Sequence, residues 1–379
     1  IAFTVQPDGR TDDIEVTPEN EAENNNDQIS GGQDYDLSLP FVVEGSVGPL
    51  DGNEGDFDFF TVSVDEPTAV FIHIEAKTSD LWPGGAALGY DLRNGNVNRF
   101  VLGNETGQNH FREVFLPVAG NYAFLVTDTR NLISSAQNVG SEDGHQYRMS
   151  VSEIPLPDAA PVSLPSAPID NEVQYRLRTY AVDTSNTNGI TATSTGVPNG
   201  DNSVHLPALV AYDPVSRHTL GHTSPAQADT STLRTRLDIK TDGYDEIILV
   251  EDHYQSFGSN NALFEVSPID ITSEFETLQQ REDDRASRLV WLQSGQQVTG
   301  IIGPPVSTSP TSLEQDSDYY LSVLSPGRTL EVTVTPRQDS QLQPQVSVGV
   351  FSENQGSSTY FGLGSSSSAD NPGEAVTLQ

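Results

Sequence analysis

The sequence predicts an all-β chain of tandem antiparallel β-sandwiches, with a third unit incomplete. Three observations predict it. Short runs of β-branched and aromatic residues, punctuated by Gly, Asn, Asp and Pro, dominate the chain. Several of these runs recur in the same order at the same spacing. A dense proline cluster separates the first set from the second.

The runs are taken in chain order. Phe59-Phe60-Thr61-Val62-Ser63-Val64, Val70-Phe71-Ile72-His73-Ile74 and Tyr122-Ala123-Phe124-Leu125-Val126 read as strands of a first unit. Ile247-Ile248-Leu249-Val250 and Leu330-Glu331-Val332-Thr333-Val334 read as strands of later ones. A sheet packed on one face buries alternate residues. The expected core includes Phe60, Val62, Phe71, Ile74, Tyr122, Phe124, Val126, Ile248 and Val250. Only Ser273–Leu292 looks helical, and without a clean 3.6-residue period.

Repeats define the organisation. Asp56-Phe57-Asp58-Phe59-Phe60-Thr61-Val62 recurs as Asp316-Ser317-Asp318-Tyr319-Tyr320-Leu321-Ser322. Ala87-Leu88-Gly89-Tyr90-Asp91 recurs as Leu209-Val210-Ala211-Tyr212-Asp213 and, loosely, as Ser347–Phe351. Gly120–Val126 recurs as Gly243–Val250, and the closing strand Tyr147–Val151 as Leu263–Ser267. Tyr90 to Gly120 spans 30 residues and Tyr212 to Gly243 spans 31. Between Ile154 and Asp170 lie Pro155, Pro157, Pro161, Pro165 and Pro168, which read as a stiff extended spacer. The expected units are an N-terminal strand or linker at 1–17, sandwich 1 at 18–157, a degenerate sandwich 2 at 158–272 and the incomplete sandwich 3 at 273–379. Ile1 opens inside a strand pattern, so the sequence reads as a mature chain or a fragment.

Charge narrows the partners. The chain has 379 residues, with 18 Lys+Arg against 54 Asp+Glu, a formal charge of −36. Such a chain is repelled by nucleic-acid phosphates and by anionic lipid. No apolar run approaches the ~18 residues of a spanning helix, so no membrane insertion is expected. With no cysteine, disulfides, thiolate metal sites and cysteine nucleophiles are excluded. High Asp/Glu with only two lysines, Lys77 and Lys240, points to a saline or calcium-rich exterior.

The order of these motifs resembles the bacterial pre-peptidase C-terminal (PPC) domain family. That pattern has an acidic opening (Glu21-Ala22-Glu23-Asn24-Asn25-Asn26-Asp27) and an apolar stretch ending at Gly (Leu39–Gly45). An Asp-x-Asp-aromatic-aromatic strand (Asp56–Phe60), a Gly-Asn-Tyr strand (Gly120–Val126) and a closing strand (Tyr147–Val151) follow. The first unit matches throughout, the third from Gly300 to about Phe351. The second lacks the acidic opening and a clean Asp-x-Asp pair. The resemblance implies jelly-roll-like sandwiches on a secreted or surface protein, with no catalysis by the domain itself.

Calcium is the expected cofactor. Ca²⁺ takes six to eight oxygen ligands. Glu21, Glu23, Asn25, Asn26 and Asp27 form one cluster, and Asp51, Asn53, Asp56 and Asp58 form another beside permissive glycines. In some members of the resembled family the ligands come from these two regions. The first 60 residues hold fifteen acids and one base, Arg10, a repulsion that bound cations relieve. Asp316 and Asp318, with Glu282 and Asp283, form a weaker counterpart in unit three. His218-x-x-x-His222 suits a metal only on a helix, and Gly221, Pro214 and Pro225 point to a loop. No Gly-x-Ser-x-Gly, His-Glu-x-x-His or phosphate-cradling loop occurs. Trp82 reads as a loop plug or an exposed stacking residue.

The expected function is that of a non-catalytic extracellular structural or adhesive array on a bacterial surface. The alternatives are the C-terminal accessory region of a secreted peptidase, or a module binding collagen or polysaccharide. The expected partners are other copies of the chain or neighbouring surface proteins. Phe3-Thr4-Val5-Gln6-Pro7 resembles the closing strand Phe264–Pro268. Phe3 and Val5 are therefore either left over from an upstream unit of a longer array or candidates to complete the third unit of a neighbouring copy and build a filament.

Overall fold

The computed structural model describes residues 15–18, 37–48, 56–89, 97–102, 106–133, 145–173, 176–197, 205–223, 228–229, 233–256, 260–270 and 290–298. Beyond these it describes 306–309, 312–314, 320–323, 329–336, 342–348, 350–354, 357–361, 366–369, 371 and 374–378. Strands dominate, and the only helix among these residues is the single turn α1 (Thr129–Ile133).

The first unit comprises β1 (Val16–Pro18), β2 (Phe41–Ser46), β3 (Asp58–Val64), β4 (Thr68–Ala76), β5 (Pro83–Gly89), β6 (Asn98–Leu102), β7 (His110–Leu116), β8 (Gly120–Asp128) and β9 (Gln146–Ile154). The sheets are β1-β2-β9-β4-β7 and β3-β8-β5-β6. Four antiparallel ladders nest inside one another: β2·β9, β3·β8, β4·β7 and β5·β6. This is a long hairpin rolled into two facing sheets, a jelly roll.

The second unit comprises β10 (Ala160–Val162), β11 (Ile169–Val173), β12 (Arg178–Asp183), β13 (Gly189–Val197), β14 (His205–Asp213), β15 (His218–His222), β16 (Ala228–Asp229), β17 (Arg234–Lys240), β18 (Glu246–Ser256) and β19 (Asn260–Pro268). Its nested ladders are β11·β19, β12·β18, β13·β17 and β14·β15, the same topology. The sequence repeats fall on equivalent strands: β5 with β14, β8 with β18, β9 with β19. The strand of this unit equivalent to β3 is β12, where Thr179-Tyr180-Ala181-Val182 stands in place of the Asp-x-Asp motif.

The cores follow strand parity. Phe60, Val62, Ile72, Ile74, Tyr122, Phe124 and Val126 lie between the sheets of roll 1. Tyr180, Ile190, Leu237, Ile247, Leu249 and Phe264 lie between those of roll 2. Tyr180 stacks on Phe264 with ring centroids 3.9 Å apart. Three core expectations need correction. On β4, Val70, Ile72 and Ile74 point inward, so Phe71 points outward and stacks on Phe111 at 5.7 Å. On β18, Ile247 and Leu249 take the inward positions, so Ile248 and Val250 face away from the core of roll 2. In both strands the apolar run exceeds one face, and only parity tells which residues face the core.

The proline-rich segment is not a free spacer. Ala160–Val162 pairs in parallel along β12 as an edge strand, where proline is tolerated. Thr179 Oγ1 donates to the Pro157 carbonyl at 2.8 Å, and Ser166 exchanges hydrogen bonds with Val266.

Residues beyond 273 do two things. The short strands β20 (Val290–Trp291) and, further on, residues 320–321 extend the β17 edge of roll 2 in parallel. Of the stretch read as helix-like, Val290–Trp291 is therefore strand. The remaining strands are β21 (Val306–Ser309), β22 (Ser312–Glu314), β23 (Tyr320–Leu321), β24 (Val332–Val334), β25 (Gln345–Ser347), β26 (Val350–Asn354), β27 (Ser357–Phe361), β28 (Ser366–Ser368) and β29 (Val376–Leu378). Among the described residues three ladders nest again, β24·β29, β25·β28 and β26·β27. No described helix is long and apolar enough to cross a membrane.

Candidate functional site

The strongest concentration of buried charge lies where the two jelly rolls meet. On β6, Arg99 shares an inward-facing parity with the core residues Val97 and Val101. On β7, Arg112 shares it with Val114 and Leu116. These strands are the neighbouring edges of the two sheets of roll 1. Their guanidiniums therefore reach from the gap between the sheets to the open side of the sandwich. Roll 2 covers that side with β18. Ile248, Val250 and Asp252 of β18 face roll 1, so this strand is buried on both faces.

Asp252 sits between the two arginines. Arg99 Nε donates to Asp252 Oδ2 at 2.8 Å, and Arg112 Nη2 donates to Oδ1 at 3.2 Å. The backbone N–H groups of Phe115 and His253 donate to the same carboxylate at 3.1 and 2.7 Å. Arg112 also donates to the carbonyls of Phe100 and His253. Side-chain exposure is 0% for Arg99, 1% for Arg112 and 0% for Asp252. A charge removed from water this completely is tolerated only when paired and hydrogen-bonded, and the joint supplies both.

Apolar packing surrounds the ions. Ala69 and Phe115 of roll 1 meet Leu177, Val210 and Val250 of roll 2, with Ile154 at the end of β9 and Leu156 of the connecting segment against them. Phe115 meets Tyr212 edge-on at 6.1 Å. Leu177 N donates to Glu113 at 2.9 Å, and Thr219 Oγ1 donates to the Pro117 carbonyl. The exposed Arg217–Glu66 pair at 3.7 Å adds little. Covering β6 and β7 also removes two sheet edges from solvent.

The positive charge shapes its neighbours. Burial, then the Arg112 charge and His73, lower the pKa of His110 to about 4. Burial, then the Arg99 charge, lower that of His222 to about 4. Burial pushes the Glu113 carboxyl up, against the Leu177 hydrogen bond and nearby arginines. On the opposite face of β18, Glu251 accepts from the Tyr180 and Ser194 hydroxyls within roll 2.

A second ionic cluster pins one end of roll 1. Arg130 forks onto Asp128 at 2.7 and 2.8 Å, and the backbone N of Trp82 donates to Asp128 at 2.9 Å. Trp82 is half-buried there.

Of the expected calcium ligands, Glu21, Glu23, Asn25, Asn26, Asp27, Asp51 and Asn53 lie outside the described residues, as do Asp316, Asp318, Glu282 and Asp283. Asp56 and Asp58 are described, 3% and 1% exposed. Gly48 N donates to Asp56 Oδ2, and the Thr127 hydroxyl donates to the Asp56 carbonyl. No described group of three or more His, Asp or Glu side chains is arranged to hold a metal. Phe3 and Val5 also lie outside the described residues. His218 and His222 are on strand β15, not in a loop, and His222 packs against Trp291 at 5.3 Å.

The sequence reading missed Arg99, Arg112 and Asp252. A signal existed for the two arginines: each occupies the inward parity of a strand whose alternate residues are core. Their meeting depends on how the rolls dock, which no local pattern encodes.

No family model matches the chain, and no curated protein matches it. Among solved structures it is similar to the pre-peptidase C-terminal domain of a Bacillus anthracis collagenase. That match has 14% identity and a TM-score of 0.22, covering 37% of this chain and 96% of that one. It is also similar to a Clostridium perfringens structure holding an M60 catalytic domain and two CBM51 domains. There the identity is 9% and the TM-score 0.19, covering 59% of this chain and 36% of that one. The exported protein XepA matches with 12% identity and a TM-score of 0.19, over 59% of this chain and 84% of that one. Likenesses at these scores carry no argument about function, which rests on the geometry instead.

Proposed function

We propose that the chain is a non-catalytic structural module of an extracellular protein, in which two jelly rolls act as one rigid body. The observation that carries this reading is the doubly buried strand β18. Its Ile247 and Leu249 complete the core of roll 2, while Val250 and Asp252 close onto roll 1. Tandem domains joined by small polar interfaces hinge freely. A joint with a buried ion triad and an apolar cluster resists hinging. The acidic surface, −36 overall, suits an exported protein that remains soluble at high local density.

Calcium bound by the acidic segments Glu21–Asp27 and Asp51–Asp58 belongs to the same reading. The buried carboxylates of Asp56 and Asp58, at the entrance to β3, support it. Single-molecule pulling between handles on the two chain ends tests the module. Rolls 1 and 2 are expected to rupture in one event. Two separate ruptures, each releasing the length of one roll, would rule out the rigid body.

A further inference from the structure

The open side of roll 2, equivalent to the side of roll 1 that β18 covers, is filled by the segment Val290–Gln296. Val290 and Trp291 pair in parallel with Asp238 and Ile239 on the β17 edge. The Trp291 indole, 7% exposed, lies over Gly221 of β15, where a Cβ would stand 2.5 Å from the indole Cγ. Only glycine leaves room for the ring there. Among the described residues the indole N–H has no acceptor, so shape rather than polarity seats it. Two glutamines complete the grip. Gln293 Nε2 donates to the Leu220 carbonyl, and Gln296 Nε2 donates to the Lys240 and Asp242 carbonyls at 3.0 Å each. A turn sets their spacing: Gln296 N donates to the Gln293 carbonyl, and Gly295 takes φ +86°.

We propose that this side of roll 2 is a strand-recognition socket for a Trp-x-Gln-x-x-Gln segment, and that it accepts this segment from a second copy of the chain as well as from its own. Each anchor is specific to the segment and none depends on how it is connected to roll 2. Twenty-one residues separate Pro268 from Val290, and the parallel ladder to β17 is two residues long. The same contacts therefore form within or between chains, and concentration selects between them. Added-strand pairing with side-chain anchors is a known mode of peptide capture.

The test uses the full chain and a fluorescently labelled peptide of residues 288–298. Trp291→Ala vacates the place of the indole and weakens the segment's own hold, and the peptide is expected to bind that variant at least tenfold more tightly than the wild type. Adding Gly221→Ala, or replacing the peptide tryptophan by alanine, is expected to abolish the gain. Should Trp291→Ala fail to fold, Gln293→Ala/Gln296→Ala keeps the indole and loosens the segment, and the peptide is expected to displace it. Equal binding with and without Gly221→Ala, or no binding to either folded variant, overturns the socket. Energy transfer between donor- and acceptor-labelled copies of the wild-type chain reads the exchange. It is expected to rise with concentration and to be suppressed by excess peptide. No transfer, or transfer indifferent to the peptide, overturns the second copy as occupant.

Discussion

Arg99 of the first jelly roll and Asp252 of the second lie 2.8 Å apart, 153 residues distant in sequence, with both side chains fully buried. Arg112 meets the same carboxylate from the other side. The joint thus holds two cations on one anion, and its behaviour follows from that imbalance.

Removing the anion leaves two buried guanidiniums without their carboxylate. Asp252→Asn is expected to cost about 3–5 kcal/mol in urea unfolding of the full chain. Replacing the whole triad with apolar residues, as Arg99→Met/Arg112→Met/Asp252→Leu, is expected to cost far less, because no charge then remains to be desolvated. A triple variant as unstable as Asp252→Asn would mean that the ions themselves hold the joint.

Acid is expected to weaken the protein through two buried histidines. His110 and His222 have pKa values of about 4 when folded, against 6.5 in the unfolded chain. The unfolded chain therefore binds more protons between these values. Stability is full above pH 6.5 and falls as pH drops toward 4, by about 3 kcal/mol for each histidine. Urea midpoints at pH 7 and pH 5 measure the loss. In His110→Gln/His222→Gln the difference between the two midpoints is expected to shrink, and an unchanged difference would assign it to other groups.

Close packing within roll 1 gives a third expectation. A Cβ at Gly85 on β5 would stand 2.3 Å from the Leu125 carbonyl oxygen on β8 and 2.9 Å from Ile74 Cδ1. Backbone cannot yield as a side-chain tip does, so Gly85→Ala is expected to destabilise by about 1–3 kcal/mol. Thermal melting of the purified variant measures it, and an unaltered melting temperature would contradict the β5–β8 spacing.

Calcium is tested by chelation. A ligand that binds only the folded state raises the melting temperature by mass action, so removing it lowers that temperature. Asp56→Ala also frees Gly48 N from its acceptor and destabilises on its own. The informative quantity is therefore the chelator-dependent difference, expected to vanish in Asp56→Ala and Glu23→Ala. A wild-type melt indifferent to chelator would contradict calcium binding by these residues.

Much of the fold was legible because jelly-roll strands are short, alternating and repeated. Gly120–Val126 and Gly243–Val250 recur in sequence and occupy equivalent strands. Strand faces were less legible. Phe71 and Ile74 cannot share a face of one regular strand, and Ile248 and Val250 belong to a joint rather than a core. The pairing of Ala160–Val162 and of Val290–Trp291 was illegible for a related reason. Both lie along edges of roll 2 that become visible only once the sheets are assembled. The ionic joint was the least legible, since it forms between strands more than a hundred residues apart.

Differential scanning calorimetry of the full chain tests most directly whether two jelly rolls form one body. Rolls 1 and 2 are expected to unfold in a single transition, with calorimetric and van't Hoff enthalpies agreeing for the pair. Asp252→Asn is expected to split this transition in two. Two transitions in the wild type, at temperatures that Asp252→Asn leaves unmoved, would contradict the single body.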